Sequence, residues 1–365
     1  MSVYKIMKDQ NIKNKKIDEA SSGLANILVD LIDDKNKKLK EMRDKAKDAE
    51  EKHKYFESSI LYKELLGEAQ KQNNSDIVKE AKIKMIEMNK LSKDDFKQIK
   101  AEQEVPKEEI EEEIKYIIGD NNNLEEILHR IGQHPHLYPK KKEIEESSSK
   151  NKPIFTFIAS NHIISEDNHA LGGNDPEYIW YLKNYGIHQD VIMQLCMGRI
   201  FYELENKHGL TFDNLTSYLK NKKVFSQEDF YFIELGLKSY FNNDYCSAIH
   251  ILIPRFEGCF IELSKALGIN TVSLKRPKKC TDDVITSDIT LSTELLRKKE
   301  FTDVWSEDFC ENIIYVFYER LGYGLRNKVA HGFISVNECS KSTCQLIIYF
   351  YLVLASRIKI IEDKK

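Results

Sequence analysis

Apolar residues recur at helical spacing along most of the chain. Residues 55–69 and 77–88 each carry an apolar stripe, and the polar stretch 72–75 separates them. Positions three and four apart lie on one face of an α-helix, so this pattern predicts two helices around a short turn. Ser75 is a candidate N-cap for the second helix.

This pair of helices resembles a single tetratricopeptide hairpin. A repeat fold needs about three such units, and residues 55–90 supply one. We therefore interpret residues 1–115 as a helical hairpin or regulatory region, ending in an acidic run that is typical of a solvated helix. The alternative is a repeat that binds a partner protein through these helices, which further hairpins would support.

Residues 116–189 are less regular and are interpreted as a connecting region. Turn-forming residues concentrate in segments 119–123, 132–153 and 168–176. Between them, residues 154–158 are β-branched and aromatic, which is compatible with a strand or with a buried extended segment.

The helical pattern is strongest in residues 190–365. Only 15 Gly and 7 Pro occur in 365 residues, which argues against folds rich in turns. Pro254 is expected to kink the third predicted helix, and residues 272–283 are interpreted as a basic loop. The fold class is therefore all-α, with a C-terminal helical bundle. Its predicted helices cover residues 190–207, 226–242, 244–267, 288–300, 304–321 and 337–361.

Charge and hydropathy narrow the class of protein. The chain has 55 Lys and Arg against 59 Asp and Glu, for a formal charge of −4, so any nucleic-acid site must be local. The longest apolar stretch, residues 346–355, is shorter than the roughly 20 residues of a membrane span. The seven cysteines form no C-x-x-C pair. We expect reduced thiols in a soluble, cytoplasmic protein without a membrane partner.

The most informative segment is residues 325–332, L-R-N-K-V-A-H-G. It follows an apolar helix and places His331 five positions after Arg326, with the polar Asn327 beside the arginine. This R-x4-H arrangement resembles the HEPN superfamily (higher eukaryotes and prokaryotes nucleotide-binding domains). Together with the helix at 244–267, it also resembles an uncharacterised bacterial HEPN-like family. The resemblance covers roughly residues 190–360.

The resemblance implies a HEPN-like helical bundle that cleaves RNA without a metal or another cofactor. It further implies attack by the RNA 2′-hydroxyl, a homodimer, and a role as a bacterial toxin or in defence against phage. Arg326, Asn327 and His331 are the catalytic candidates. Toxin-type members often continue H-x-Tyr, whereas this chain has Phe333 at that place. The alternative is an inactive HEPN-like scaffold that binds a partner protein or a nucleotide.

The chemistry of these residue types fits RNA cleavage. A histidine, with an ordinary pKa near 6.5, can accept or donate a proton near neutral pH. A guanidinium stays charged and can hold two phosphate oxygens. Asn327 can orient a phosphate or the histidine. Since one histidine cannot readily act as both acid and base in a single step, two copies across a two-fold axis would supply both groups.

Helix geometry limits whether Arg326 and His331 can lie on the same face of the helix. Five residues at about 100° each place Arg326 and His331 some 140° apart, so they share a face only if the helix ends between them. Gly332 is a candidate helix stop. A purely structural alternative pairs Arg326 with Glu257 or Glu262 and leaves His331 to cap the helix end. Glu257 is also a candidate supporting residue that orients Arg326 or His331.

Two further groups of polar residues carry less specific signals. Lys275, Arg276, Lys278 and Lys279, together with Lys328, are candidate contacts to an RNA backbone, and a solvated loop is the alternative for residues 275–279. The histidines at 129, 134 and 136 lack the partners of a recognised metal site, so we interpret them as part of a surface loop.

Overall fold

A computed structural model describes residues 35–92, 106–120, 122–150, 175–275, 285–288 and 291–358. The fold is all-α, as predicted, with one small antiparallel hairpin. The described chain divides into two compact units, residues 35–92 and the described part of residues 106–358.

The first unit contains helix α1 (residues 35–51) and the predicted helical hairpin, formed by α2 (Tyr55–Lys71) and α3 (Ser75–Leu91). Asn74, rather than Ser75, caps α3, because its side chain accepts a hydrogen bond from the Ile77 amide at 3.2 Å. The three helices close over a small core. Its buried members are Leu39, Ala46, Tyr62, Leu65, Ala69, Ala81 and Met88.

The second unit holds the larger core. Its first helices are α4 (Lys107–Ile118), α5 (Leu124–Gln133), α6 (Lys141–Lys150), α7 (Pro176–Val191), α8 (Gly198–Lys207) and α9 (Phe212–Asn221). The next are α10 (Gln227–Phe241) and α11 (Tyr245–Ala266), followed by strands β1 (Val272–Lys275) and β2 (Ile285–Asp288). The last are α12 (Thr293–Leu296), α13 (Lys299–Trp305), α14 (Glu307–Ile313), α15 (Leu325–His331) and α16 (Lys341–Arg357). Single π-helical turns follow α7 and α14.

The interval expected to connect two regions contributes helices to this core. In α5, Ile127, Leu128 and Ile131 are fully buried. Gly132 permits close contact with α16, since a Cβ at this position would lie 2.3 Å from the Leu352 carbonyl oxygen. Helix α7 begins well before the predicted start at residue 190, because Asp175 caps it.

The bounds of the other helices can be compared directly with the predicted ones. Helices α10, α11 and α16 confirm the predictions for 226–242, 244–267 and 337–361 to within four residues at each end. Helix α9 was not predicted. Two short helices, α12 and α13, replace the single helix expected over 288–300, and β1 occupies the start of the expected basic loop. The candidate strand at 154–158 lies outside the described residues.

Helix α16 is the centre of the second unit. Every residue from Cys344 to Ser356 is buried. A helix that is apolar on all sides is typical of the interior of a protein. Among the described helices, including this one, none combines the length and apolar character needed to cross a membrane.

Candidate functional site

Helix α15 carries the R-x4-H segment and is held at both ends. Near its start, the Asn327 side chain donates a hydrogen bond to the Tyr318 carbonyl at 2.9 Å. At its end, Gly332 has φ +70°, and the amides of Gly332 and Phe333 bond back to the carbonyls of Val329 and Lys328. This is a Schellman ending, which favours glycine in the left-handed conformation. The helix therefore stops directly after His331.

Arg326 is paired with Glu257 on α11. Its Nε donates to Glu257 Oε2 at 2.8 Å, and the two side chains are 28% and 14% exposed. This hydrogen bond raises the pKa of the guanidinium, so Arg326 stays charged. Glu262, the other candidate partner, instead pairs with Lys265 at the surface.

Tyr318 is a neighbour of this pair. It ends the π-helical turn after α14 and is 8% exposed. Burial raises the pKa of its phenol, and the adjacent Glu257 carboxylate raises it further. The phenol therefore stays protonated and can donate to Glu257. Only the packing of this turn against α11, where Phe317 stacks on Phe256, brings the two together, so no local motif signals this contact.

His331 lies in a different environment. It is exposed at the end of α15, and its ring lies 6.2 Å from the ring of Phe333. Phe333 is itself 78% exposed. The histidine is thus open to solvent, next to an exposed aromatic side chain.

The structure does not join Arg326 to His331. Both belong to one uninterrupted helix, so they point about 140° apart and lie about 7.5 Å apart along its axis. Among the contacts of the described side chains, no hydrogen bond links these two residues. Within one chain, the arginine faces α11 and the histidine faces solvent.

Lys328 is held in place by Glu338. The two side chains form an ion pair, and Glu338 also accepts hydrogen bonds from the amide and hydroxyl of Ser335, both at 2.9 Å. This clamp fixes the loop between α15 and α16. Sequence reasoning missed Glu338, which lies ten positions from Lys328. Arg276, Lys278 and Lys279 lie outside the described residues, and Lys275 ends β1.

Two of the three histidines expected in a surface loop lie elsewhere, since His129 is part of α5 and His134 is buried. His134 is 6% exposed, and burial lowers its pKa to about 4. His136 is bound to Glu113 at 2.9 Å. No group of three or more potential metal ligands occurs among the described residues.

Comparison with known proteins adds no relative. No protein-family model, curated protein or solved structure matches this chain.

Proposed function

We propose that this chain is a HEPN-type endoribonuclease that cleaves RNA without a metal, through attack of the RNA 2′-hydroxyl. The observation that carries the proposal is the set of side chains that α15 exposes. One short helix presents an exposed histidine and a partly exposed arginine that is already oriented by a carboxylate. A bacterial toxin or anti-phage role rests on the family resemblance alone.

Arg326 is the proposed phosphate-binding group. Its Nε donates to Glu257, and within the described chain this is its only hydrogen bond, so both terminal nitrogens remain to bind phosphate oxygens. A guanidinium held in one plane loses little freedom on binding and can contact two oxygens at once. Glu257 therefore acts as a positioning residue in this proposal.

His331 is the proposed proton-transfer group. Its exposure lets it reach an RNA backbone. A second copy supplies the second histidine, so we propose a homodimer. Phe333, which is 78% exposed beside His331, and Val336, which is 83% exposed in the loop after α15, support an interface near this helix. Light scattering at micromolar concentration should show a dimer. A monomer with full activity would contradict this part.

Asn327 and Lys328 receive secondary roles. The amide nitrogen of Asn327 is bound to a carbonyl, so its side-chain oxygen is the atom left to orient a neighbouring group. Lys328 is paired with Glu338 and must exchange that partner to contact RNA. If it does, cleavage will weaken as salt rises.

The decisive experiment measures RNA cleavage by the purified full chain and by His331→Ala. General acid–base groups contribute about 10²–10⁴-fold to rate, so the variant should lose that much activity and keep its fold. Arg326→Ala should lose comparably, and Arg326→Lys should recover little, because an ammonium cannot reproduce the planar fork. RNA with a 2′-deoxy nucleotide at the cleaved position should resist. Products should carry a 2′,3′-cyclic phosphate, or its hydrolysed form, and a 5′-hydroxyl.

Arg255 provides a matched control for Arg326. It pairs with Asp229 at 2.8 Å, and its side chain is 26% exposed, close to the values for Arg326. Arg255→Ala should therefore reproduce any structural cost of losing an ion pair while leaving cleavage intact. The exposed His188 is the corresponding control for His331. Cleavage that needs added divalent metal, or survives His331→Ala, would overturn the proposal.

The second candidate is an inactive HEPN-like scaffold that binds a partner protein or a nucleotide. The Arg326–Glu257 pair favours it, because joining two helices is a sufficient structural role for both residues. A pure protein that cleaves no RNA in the same assay would support this candidate.

A further inference from the structure

Three cysteines gather where the starts of two helices meet. Cys246 lies in the first turn of α11, and Cys339 and Cys344 lie on either side of the residue that caps α16. Cys246 is exposed, Cys339 is half-buried and Cys344 is buried. None of the proposed catalytic residues belongs to this cluster, so an inference about it is independent of the proposed nuclease activity.

Contacts that involve neither Cys246 nor Cys339 hold these two helix starts together. The Cys344 thiol donates a hydrogen bond to the Tyr245 carbonyl at 3.6 Å. The side chain that follows it, Gln345, donates to the Tyr240 hydroxyl at 3.2 Å. The first turn of α16 is therefore fixed against the turn that joins α10 to α11.

The thiols of Cys246 and Cys339 contact each other. They form a side-chain hydrogen bond, although the two residues are far apart in the sequence. Burial raises the pKa of the Cys339 thiol and the hydrogen bond with Cys246 raises it further, so Cys339 keeps its proton and can donate it to the Cys246 sulfur. Two sulfur atoms in such contact need only a small approach to reach the roughly 2.05 Å of a disulfide bond.

The cysteines outside this cluster have no comparable partner. None of those that the structure describes forms a hydrogen bond with another thiol, and two of the three are buried. They are Cys196, Cys259 and Cys310. Cys280 lies outside the described residues. Oxidants react most readily with an accessible thiol that lies beside a second one. Among the described thiols, Cys246 meets both conditions.

We propose that Cys246 and Cys339 are a peroxide-sensitive pair that forms a reversible intramolecular disulfide. First, the Cys246 sulfur attacks one oxygen of hydrogen peroxide. The O–O bond breaks, the sulfur becomes a sulfenic acid and one water leaves. Next, the Cys339 sulfur attacks the Cys246 sulfur. The S–S bond forms as the S–O bond breaks, and the hydroxyl leaves with the Cys339 proton as a second water. Two thiols are thus oxidised, and one peroxide is reduced to two waters.

The disulfide joins α11 covalently to the loop between α15 and α16. Cys339 directly follows Glu338, whose carboxylate holds Lys328 and Ser335. Oxidation therefore fixes the end of this loop next to the clamp, and a reductant releases it.

Mass spectrometry of the purified full chain tests the proposal. The chain is reduced, freed of reductant, treated with a small molar excess of hydrogen peroxide and alkylated under denaturing conditions. We expect the monomer to lose the mass of two hydrogen atoms, and a peptide map to join Cys246 to Cys339. Dithiothreitol should restore both thiols. A chain that keeps every thiol free would overturn the proposal, and so would a map that joins another pair or two chains.

Cys339→Ser and Cys196→Ser form a matched pair of variants. Both thiols are half-buried, and only that of Cys339 contacts Cys246. Cys339→Ser should abolish the disulfide and leave Cys246 as a sulfenic acid that dimedone traps. Cys196→Ser should oxidise as the parent does. Cys246→Ser provides a second test if Cys339→Ser misfolds. Loss of two hydrogen atoms in both Cys339→Ser and Cys246→Ser would contradict the assignment.

Thermal melting shows whether the disulfide fits the folded chain. A cross-link that closes a long loop restricts the unfolded chain, so the oxidised monomer should melt roughly 4–16 °C above the reduced one. Peroxide should cause no such rise in Cys339→Ser. A lower melting temperature after oxidation of the parent would contradict the proposal, since the bond would then form only by distorting the fold.

Discussion

The last two helices of the chain differ sharply in what surrounds them. Helix α16 is buried from Cys344 to Ser356, whereas Leu325 is the one buried residue of α15. Nine residues separate them, and the Lys328–Glu338 clamp secures that loop. The comparison suggests a division of work. Helix α16 supplies the packing that stabilises the unit, and α15 presents side chains that the packing does not require.

The largest expected effect comes from a cavity in α16. Phe350 is fully buried among the rings of Phe256, Phe309 and Phe317. Phe350→Ala should lower the free energy of unfolding by about 3–5 kcal/mol. The same substitution at Phe333, which is 78% exposed beside α15, should change it by less than about 0.5 kcal/mol. Urea denaturation measures both. Equal losses of unfolding free energy would contradict the view that α16, and not the region of α15, supplies the stabilising packing.

The next effect tests whether the contact between α15 and α11 contributes to stability. Glu257→Ala leaves the charge of Arg326 partly buried without its partner, and should cost roughly 1–2 kcal/mol. Glu262→Ala on the same helix removes a pair whose acid is 63% exposed, and should cost less than about 0.5 kcal/mol. Chemical denaturation of both variants gives the difference. A negligible cost for Glu257→Ala would remove the structural role of the Arg326 pair.

A substitution at the end of α15 tests how backbone conformation alone affects stability. Gly332 has φ +70°, and apart from the adjoining residues of the chain no atom lies within 4 Å of the position that an added methyl group would take. Gly332→Ala should therefore cost roughly 1 kcal/mol, from the left-handed backbone alone. Gly258 lies inside α11 with equally open space. Gly258→Ala should instead stabilise by up to about 1 kcal/mol through helix propensity. Thermal melting compares them, and shifts of the same sign would contradict the argument.

The smallest effect concerns pH and the loop between the two helices. Burial alone would raise the pKa of Glu338, but hydrogen bonds from Lys328 and Ser335 outweigh it and lower the pKa. Because the carboxyl is more acidic in the folded state, its contribution is present above its unfolded pKa of about 4.3 and is lost as the pH falls below that. Glu338→Gln should cost up to about 1 kcal/mol at neutral pH. The gap to the parent should close in acid, as unfolding measured across pH would reveal.

Periodicity and turn residues alone determined much of this fold. The apolar stripes of α10, α11 and α16 marked their positions, and Gly332 marked the end of α15. These features depend on neighbours within a few residues, so a linear pattern contains them. Helix α9 was not predicted because it is only ten residues long. The start of α7 was not predicted because its N-cap, Asp175, stands in a segment that resembles a loop.

Tertiary structure alone decided how the candidate groups are arranged. The sequence left both Glu257 and Glu262 as possible partners for Arg326, and packing pairs it with Glu257, 69 residues away. Five positions separate these acids, so they face different sides of α11, and only the placement of α15 distinguishes them. Likewise, α6 packs on α7, where the Trp180 indole donates a hydrogen bond to the Ser148 carbonyl, 32 residues away. Local periodicity cannot encode such contacts, since they depend on which faces of distant segments meet when the core closes.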